Sequence, residues 1–353
     1  MTRAKPFWLA RIAVLALAVS VFAACEDDTG PTLSDTGDQV SSVISQFLVQ
    51  NEGLQTLKIF GSDISALMAS IAPVSPVLSP GSRTITGLTR AIRASLAELR
   101  DAGPMAIPPE YLGTTFIYDP GQGWYVPSDR EGAPELGVRF ILYDNKTDLN
   151  QIGYLDFVEQ SNFEVTPWVI DIELEVVLTD VGTVLLYTVD GTATETSGYL
   201  AFDGYLSDGV DELGFEFNLA GDDESGWEAD FTLTFRQLSV TVDLSEQPSG
   251  VQTLAITVED LENDNSIVFD FIVDATGEVQ EGSGITVNGE QVAIISGNVE
   301  QDTVEITNVS GDPLTREDLA ALAEIFAGLA QAFMVMGELL GFGIGLVGLV
   351  IFF

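Results

Sequence analysis

An α+β protein is expected here: a large curved antiparallel β-meander, half-barrel-like, with N-terminal amphipathic helices and a hydrophobic C-terminal helix. Three observations lead to it. From Gly137 to Val309, short runs of alternating apolar and polar residues follow one another with turn residues between them. Before that stretch, between residues 38 and 104, the apolar spacing is helical. After it, residues 319–353 are almost continuously apolar. The segments this implies are a leader (1–24), an acidic flexible tether (25–37), a helical part (38–104), the sheet domain (105–310) and the C-terminal helix (311–353).

Residues 1–24 have the build of an export signal. Arg3 and Lys5 precede an apolar core from Ile12 to Phe22, and small residues Ala23 and Ala24 close it. Cys25, the single cysteine, follows directly. Phe22-Ala23-Ala24-Cys25 resembles the lipobox of bacterial lipoprotein precursors. The resemblance implies cleavage before Cys25, a diacylglyceryl group on its sulfur and attachment to a membrane. An exported, anchored protein of the cell envelope follows, with the outer membrane, facing the periplasm or the cell surface, as the expected place. The tether after Cys25 is acidic and turn-rich and carries Asp-Thr-Gly twice, at Asp28 and Asp35. That triplet resembles the aspartic peptidase motif, but the two copies sit in a linker with no apolar strand around them.

In the helical part, Val40, Val43, Ile44, Phe47 and Leu48 form one stripe, and Ile64, Leu67, Met68 and Ile71 a second. Pro73, Pro76 and Pro80 then mark a linker. Ile85, Leu88, Ile92, Leu96 and Leu99 define a third helix, and Arg83, Arg90, Arg93 and Arg100 occupy its other side. This is the concentrated positive charge of the mature chain. Two roles are open to it: pairing with carboxylates of the sheet domain, or contact with anionic lipid headgroups.

The sheet domain begins with a hairpin around Asp119-Pro120-Gly121, joining Thr114–Tyr118 to Gly123–Val126. Ile170, Ile172, Leu174, Val176 and Leu178 alternate with Asp171, Glu173 and Glu175, which puts the aliphatic set on one face and the acids on the other. Similar alternations start at Val138, Leu213, Trp227, Leu238, Leu254 and Ile267. The parity slips between Phe235 and Leu238, a spacing that suggests a β-bulge or bend. So many sequential strands with one apolar face need a filling for that face. In element order the domain resembles periplasmic lipid-carrier lipoproteins, half-barrels lidded by helices. That resemblance implies an apolar ligand between sheet and helices.

The chain has 54 acidic and 13 basic residues, a net charge of −41. Between Tyr111 and Ser310 stand 39 acids against four basics, so the acidity belongs to the sheet domain. Nucleic acid is excluded as a partner by that balance. With no histidine, the usual triads, imidazole bases and His-containing zinc sites are absent. A carboxylate-pair hydrolase survives as the enzymatic alternative, and no catalytic residue is assigned. No cofactor is expected, with calcium at the turn of Asp260, Glu262 and Asp264 as the alternative. The loop departs from an EF-hand at Asn265, where glycine is needed, and at Phe271, where a bidentate acid is needed.

Pro313, Thr315 and Asp318 make a helix start for the apolar C-terminal run. That helix fills the sheet or enters lipid. Gly337, Gly341 and Gly345 form a small-residue ridge suited to helix packing in the second case. The function these readings point to is a lipid-anchored envelope protein with a non-enzymatic scaffold or interaction role. The alternative is a carrier or sensor of an apolar, lipid-like ligand held between the sheet and the helices.

Overall fold

The structure, a computed structural model, describes residues 107–323 except 146, 163–165, 195, 223, 263 and 264, together with 325, 326 and 329. The leader, the tether, the three N-terminal helices and the end of the C-terminal run lie outside the described residues. Among the described residues there are fifteen strands, numbered in chain order, and consecutive strands are neighbours in the sheet except at one edge, where β1 (Thr114–Asp119) lies between β3 (Gly137–Tyr143) and β2 (Trp124–Ser128). Packing divides the chain into two units, and the boundary in the chain falls between Phe215 and Glu216.

The first unit holds β1 (Thr114–Asp119), β2 (Trp124–Ser128), β3 (Gly137–Tyr143), β4 (Gln151–Glu159), β5 (Trp168–Leu178), β6 (Gly182–Ala193), β7 (Ser197–Ser207) and the start of β8 (Glu212–Asp222). From β3 to β7 each strand pairs antiparallel with the next. The expected all-antiparallel sheet is corrected at one place: β1 pairs parallel with β3, so the sheet is mixed. The β1–β2 hairpin occupies the edge, and the chain returns past it through 129–136 before entering β3. That detour gives a parallel pair the long connection it needs.

The alternation of β5 is realised in its register. Ile172, Leu174 and Val176 stand opposite Val189, Tyr187 and Leu185 of β6, and all six are 2% exposed or less. Burying each aliphatic side chain this fully contributes about 1.5–3 kcal/mol. Tyr187 also meets Phe202 and Phe215, with ring centroids 6.1 and 5.0 Å away. Gly204 of β7, opposite Tyr187, makes room for that cluster. A Cβ there would lie 2.0 Å from the Leu186 carbonyl and 3.0 Å from the Phe215 ring, and its φ is +153°.

The second unit holds the rest of β8, then β9 (Gly226–Phe235), β10 (Leu238–Glu246), β11 (Gln252–Asp260), β12 (Asn265–Val273), β13 (Gly284–Val287), β14 (Glu290–Ser296) and β15 (Glu305–Asn308). The parity slip at Phe235–Leu238 is no bulge. Phe235 pairs directly with Leu238 across a two-residue turn, with Arg236 at φ +51°. In such a turn residues i and i+3 share a face, which reproduces the slip without any break in the ladder. Asn288-Gly289, with φ of +50° and +82°, makes the equivalent turn between β13 and β14.

A helix, α1, starts at residue 316 and is described at 316–323, 325, 326 and 329. Its start is the expected cap: the Asp318 N–H donates to Thr315 Oγ1 at 3.2 Å, and the Thr315 N–H and hydroxyl donate to Asp318 Oδ2 at 3.2 and 2.7 Å. This reciprocal pairing satisfies two backbone donors that a helix start otherwise leaves open.

Candidate functional site

The apolar face of the second unit is built row by row. Phe231, Val242, Ile256, Phe269 and Ile285 follow one another across β9 to β13 in direct register, and all are buried. Against Phe269 lies Phe326 of α1, with ring centroids 5.1 Å apart. Ala321, Leu322, Ile325 and Leu329 are buried as well, on the spacing that makes one helical stripe. Arg316, Glu317, Ala320 and Ala323 on the other side are exposed. The start of the C-terminal segment is thus an amphipathic helix whose apolar stripe is buried at this sheet. Among the described residues no helix is long and apolar enough to cross a membrane.

The opposite face is polar and carries the carboxylates. Arg139 of β3 makes a fork to Asp156 of β4, Nε to Oδ1 at 2.7 Å and Nη2 to Oδ2 at 2.6 Å. Its guanidinium carbon lies 3.7 Å from the centre of the Tyr154 ring. The hydrogen bond to Asp156 raises the Arg139 pKa above its ordinary value. The fork engages two of the five guanidinium N–H donors with one carboxylate and neutralises its charge.

Elsewhere like charges face each other. Asp171 stands directly opposite Asp190, and Asp230 opposite Asp243. Partial burial raises the Asp190 pKa, and Asp171 and Asp203 add to the shift. Burial and then Asp230 do the same for Asp243, and burial alone for Asp270. These acids hold protons more readily than a free aspartate, because charging them on a crowded sheet face costs energy.

The acidic turns have a different use. Asp260 accepts the Glu262 N–H at 3.0 Å, so this calcium candidate closes its own turn. Asp264 lies outside the described residues. Asp222 takes the N–H groups of Glu224 and Ser225 and the Ser225 hydroxyl, and Asp274 takes Thr276 and Glu278. These hydrogen bonds, to Ser225 first for Asp222 and to the Thr276 hydroxyl first for Asp274, hold both carboxyls below the usual range. Among the described residues no group of three or more Cys, Asp or Glu side chains is arranged to hold a metal ion. Cys25, the stripe of Arg83, Arg90, Arg93 and Arg100, and the ridge of Gly337, Gly341 and Gly345 all lie outside the described residues.

One residue escaped the sequence reading. Glu159 ends β4 on the parity of Leu155 and Phe157, so it points to the apolar face, where it pairs with Ile172 and is 1% exposed. Its Oε1 accepts the Ser161 N–H at 3.1 Å. The signal was present in the alternation of 155, 157 and 159, which sets an acid among apolar positions. Comparison with protein-family models, with curated proteins and with solved structures finds no match.

Proposed function

We propose that this is an exported, lipid-anchored envelope protein, held by a diacylglyceryl group on Cys25, whose sheet is a non-enzymatic scaffold or interaction surface. The membrane is then its constant partner, and the outer membrane, facing the periplasm or the cell surface, its place. The anchor rests on the order of basic residues, apolar core, small residues and cysteine at the start of the sequence. The scaffold role rests on one observation above the others: the buried stripe of α1, with Phe326 on Phe269. A sheet that takes part of its own chain as its filling needs no ligand to complete its core. The finer architecture belongs to the same proposal: a curved meander whose apolar side receives the C-terminal segment.

The polar face fits a structural and solvating role better than a catalytic one. Its acids are spread along the strands, and Arg139 is already bound by Asp156.

Two measurements on the full chain test this. Expressed in a bacterial host, the wild type should carry a diacylglyceryl mass that Cys25→Ser lacks, and equal masses would remove the anchor. Native mass spectrometry of the Cys25→Ser chain should show no lipid-sized adduct. A stoichiometric lipid adduct would make the protein a carrier instead.

A further inference from the structure

The two-residue turn between β13 and β14 carries a reactive dipeptide. Asn288-Gly289 is the one Asn-Gly step in the chain. Both residues are exposed, and a Cβ built on Gly289 would meet nothing within 4 Å. The turn needs positive φ at both positions, +50° and +82°, and glycine would serve at either on that ground. Asparagine at 288 does more. Beyond the last β12–β13 pair, Ile267 with Val287, the Asn288 N–H donates to the Ser266 carbonyl at 2.9 Å, and the Ser266 N–H donates to Asn288 Oδ1 at 2.8 Å. The side-chain oxygen takes the place of a main-chain acceptor and carries the ladder one step further. Asn288 Nδ2 in turn donates to Asn265 Oδ1 at 3.2 Å. The carboxamide is thus held against β12 by both its oxygen and its nitrogen.

This clasp matters because an Asn-Gly step can react with itself. The main-chain nitrogen of Gly289, once it gives its proton to a base in the solvent, can attack Cγ of Asn288, and no Cβ on Gly289 hinders the approach. A bond forms from that nitrogen to Cγ, the Cγ–Nδ2 bond breaks, and Nδ2 leaves with the proton as ammonia. A five-membered succinimide remains. Water opens it at Cγ to give aspartate, or at the main-chain carbonyl carbon to give isoaspartate, in which the backbone runs through Cγ and is one carbon longer. For the first step Cγ must swing toward Gly289, away from Ser266 and Asn265. The paired sheet forbids that swing, and local opening of the β12–β13 end allows it.

We propose that Asn288-Gly289 is a self-modification site, guarded by its hydrogen bonds to β12 and converted when that end of the sheet opens. The conversion is one-way. An isoaspartate cannot rebuild the turn that sets Val287 opposite Glu290 and Thr286 opposite Gln291, and the strand so loosened carries Ile285 and Val287, both 0% exposed. Even aspartate loses the donor to Asn265 and adds a charge to an acidic sheet. A transient opening is thereby recorded as a lasting loss of stability. The site is independent of the anchor at Cys25 and of what fills the sheet.

The test is to age the full chain at mildly alkaline pH, folded in buffer and unfolded in guanidinium chloride, and to follow the change from amide to acid at Asn288 by peptide mass spectrometry. Conversion should be at least about tenfold slower in the folded chain. Asn265→Ala removes one bond of the clasp, so it should speed conversion of the folded chain about threefold or more and leave the unfolded rate unchanged. Converted molecules of the aged folded chain separate from unconverted ones on an anion-exchange column by their added carboxylate, and they should unfold at a lower guanidinium chloride concentration. Asn288→Gly, which has no amide to lose, should keep a single midpoint through the same ageing. Equal rates in the folded and unfolded chains, an Asn265→Ala chain that converts no faster than wild type when folded, or a converted fraction with an unchanged midpoint would each overturn the proposal.

Discussion

Truncating Leu322 tests whether the C-terminal helix is core or ornament. Leu322 is 1% exposed, and Ile325 and Leu329, one and two turns on, are 0% and 1% exposed. Leu322→Ala removes three carbons, worth about 2.4 kcal/mol at about 0.8 kcal/mol per buried methylene. The cavity left beside Ile325 raises the cost to about 3 kcal/mol, inside the range of about 2–5 kcal/mol for such truncations. In urea, with a slope of about 3 kcal/mol/M for a chain of this size, the midpoint should fall by about 1 M. Tryptophan fluorescence follows the transition in the chain with Trp8, Trp124 and Trp168 replaced by Phe, which leaves Trp227 on β9 of the same unit as the reporter. Val210→Ala is the control: Val210 is 90% exposed, and its loss should stay within about 0.5 kcal/mol. A Leu322→Ala chain as stable as that control would falsify the claim that α1 is part of the sheet's core, and would return the apolar face to the ligand reading.

Two further predictions concern the sheet itself. Asp190, Asp243 and Asp270 have raised folded pKa values, so their stabilisation is complete below the unfolded aspartate value near ~3.9 and is lost as pH rises through the folded values. Asp222 and Asp274 have lowered values, so theirs is present above ~3.9 and is lost as pH falls through the folded values. Thermal unfolding midpoints should therefore rise as pH falls through the folded values of the raised acids toward ~3.9 and turn down below it. The combined Asp190→Asn, Asp243→Asn and Asp270→Asn chain should lose the rise, and an unchanged profile in that chain would refute the assignment. Gly204→Ala should cost about 3 kcal/mol, seen as a lower melting temperature by circular dichroism, because the new Cβ meets the Leu186 carbonyl and the Phe215 ring from a strained φ. A loss below about 1 kcal/mol would mean that β7 yields there without disturbing the Tyr187 cluster.

The strands most legible in the sequence are those with unbroken alternation. β5, β8, β9, β11 and β12 follow from period-two patterning, because one sheet face is buried and a one-residue slip would turn every side chain over. β6 and β7 were harder to read. Val184 and Leu185 are consecutive and both buried, a register shift falls at Val176/Val177 in the β5–β6 pair, and Gly191 and Gly204 replace side chains at core positions. Periodicity alone cannot separate a bulge or bend from a two-residue turn such as Arg236-Gln237. The acidic turns were visible as turns but not as caps, since the backbone N–H groups that occupy Asp222, Asp260 and Asp274 are known only once the turn geometry is fixed.

What the sequence alone determined is the class of chain: an acidic, mostly antiparallel meander without histidine, and a capped helix start after it. These are local properties, written in composition, spacing and short-range capping. Tertiary structure decided the rest. The parallel β1–β3 pair, the fork of Arg139 on Asp156, the contact of Phe326 with Phe269 and the burial of Glu159 each join residues from different elements. No local pattern encodes which strand lies beside which, and it is that adjacency that buries Glu159 opposite Ile172.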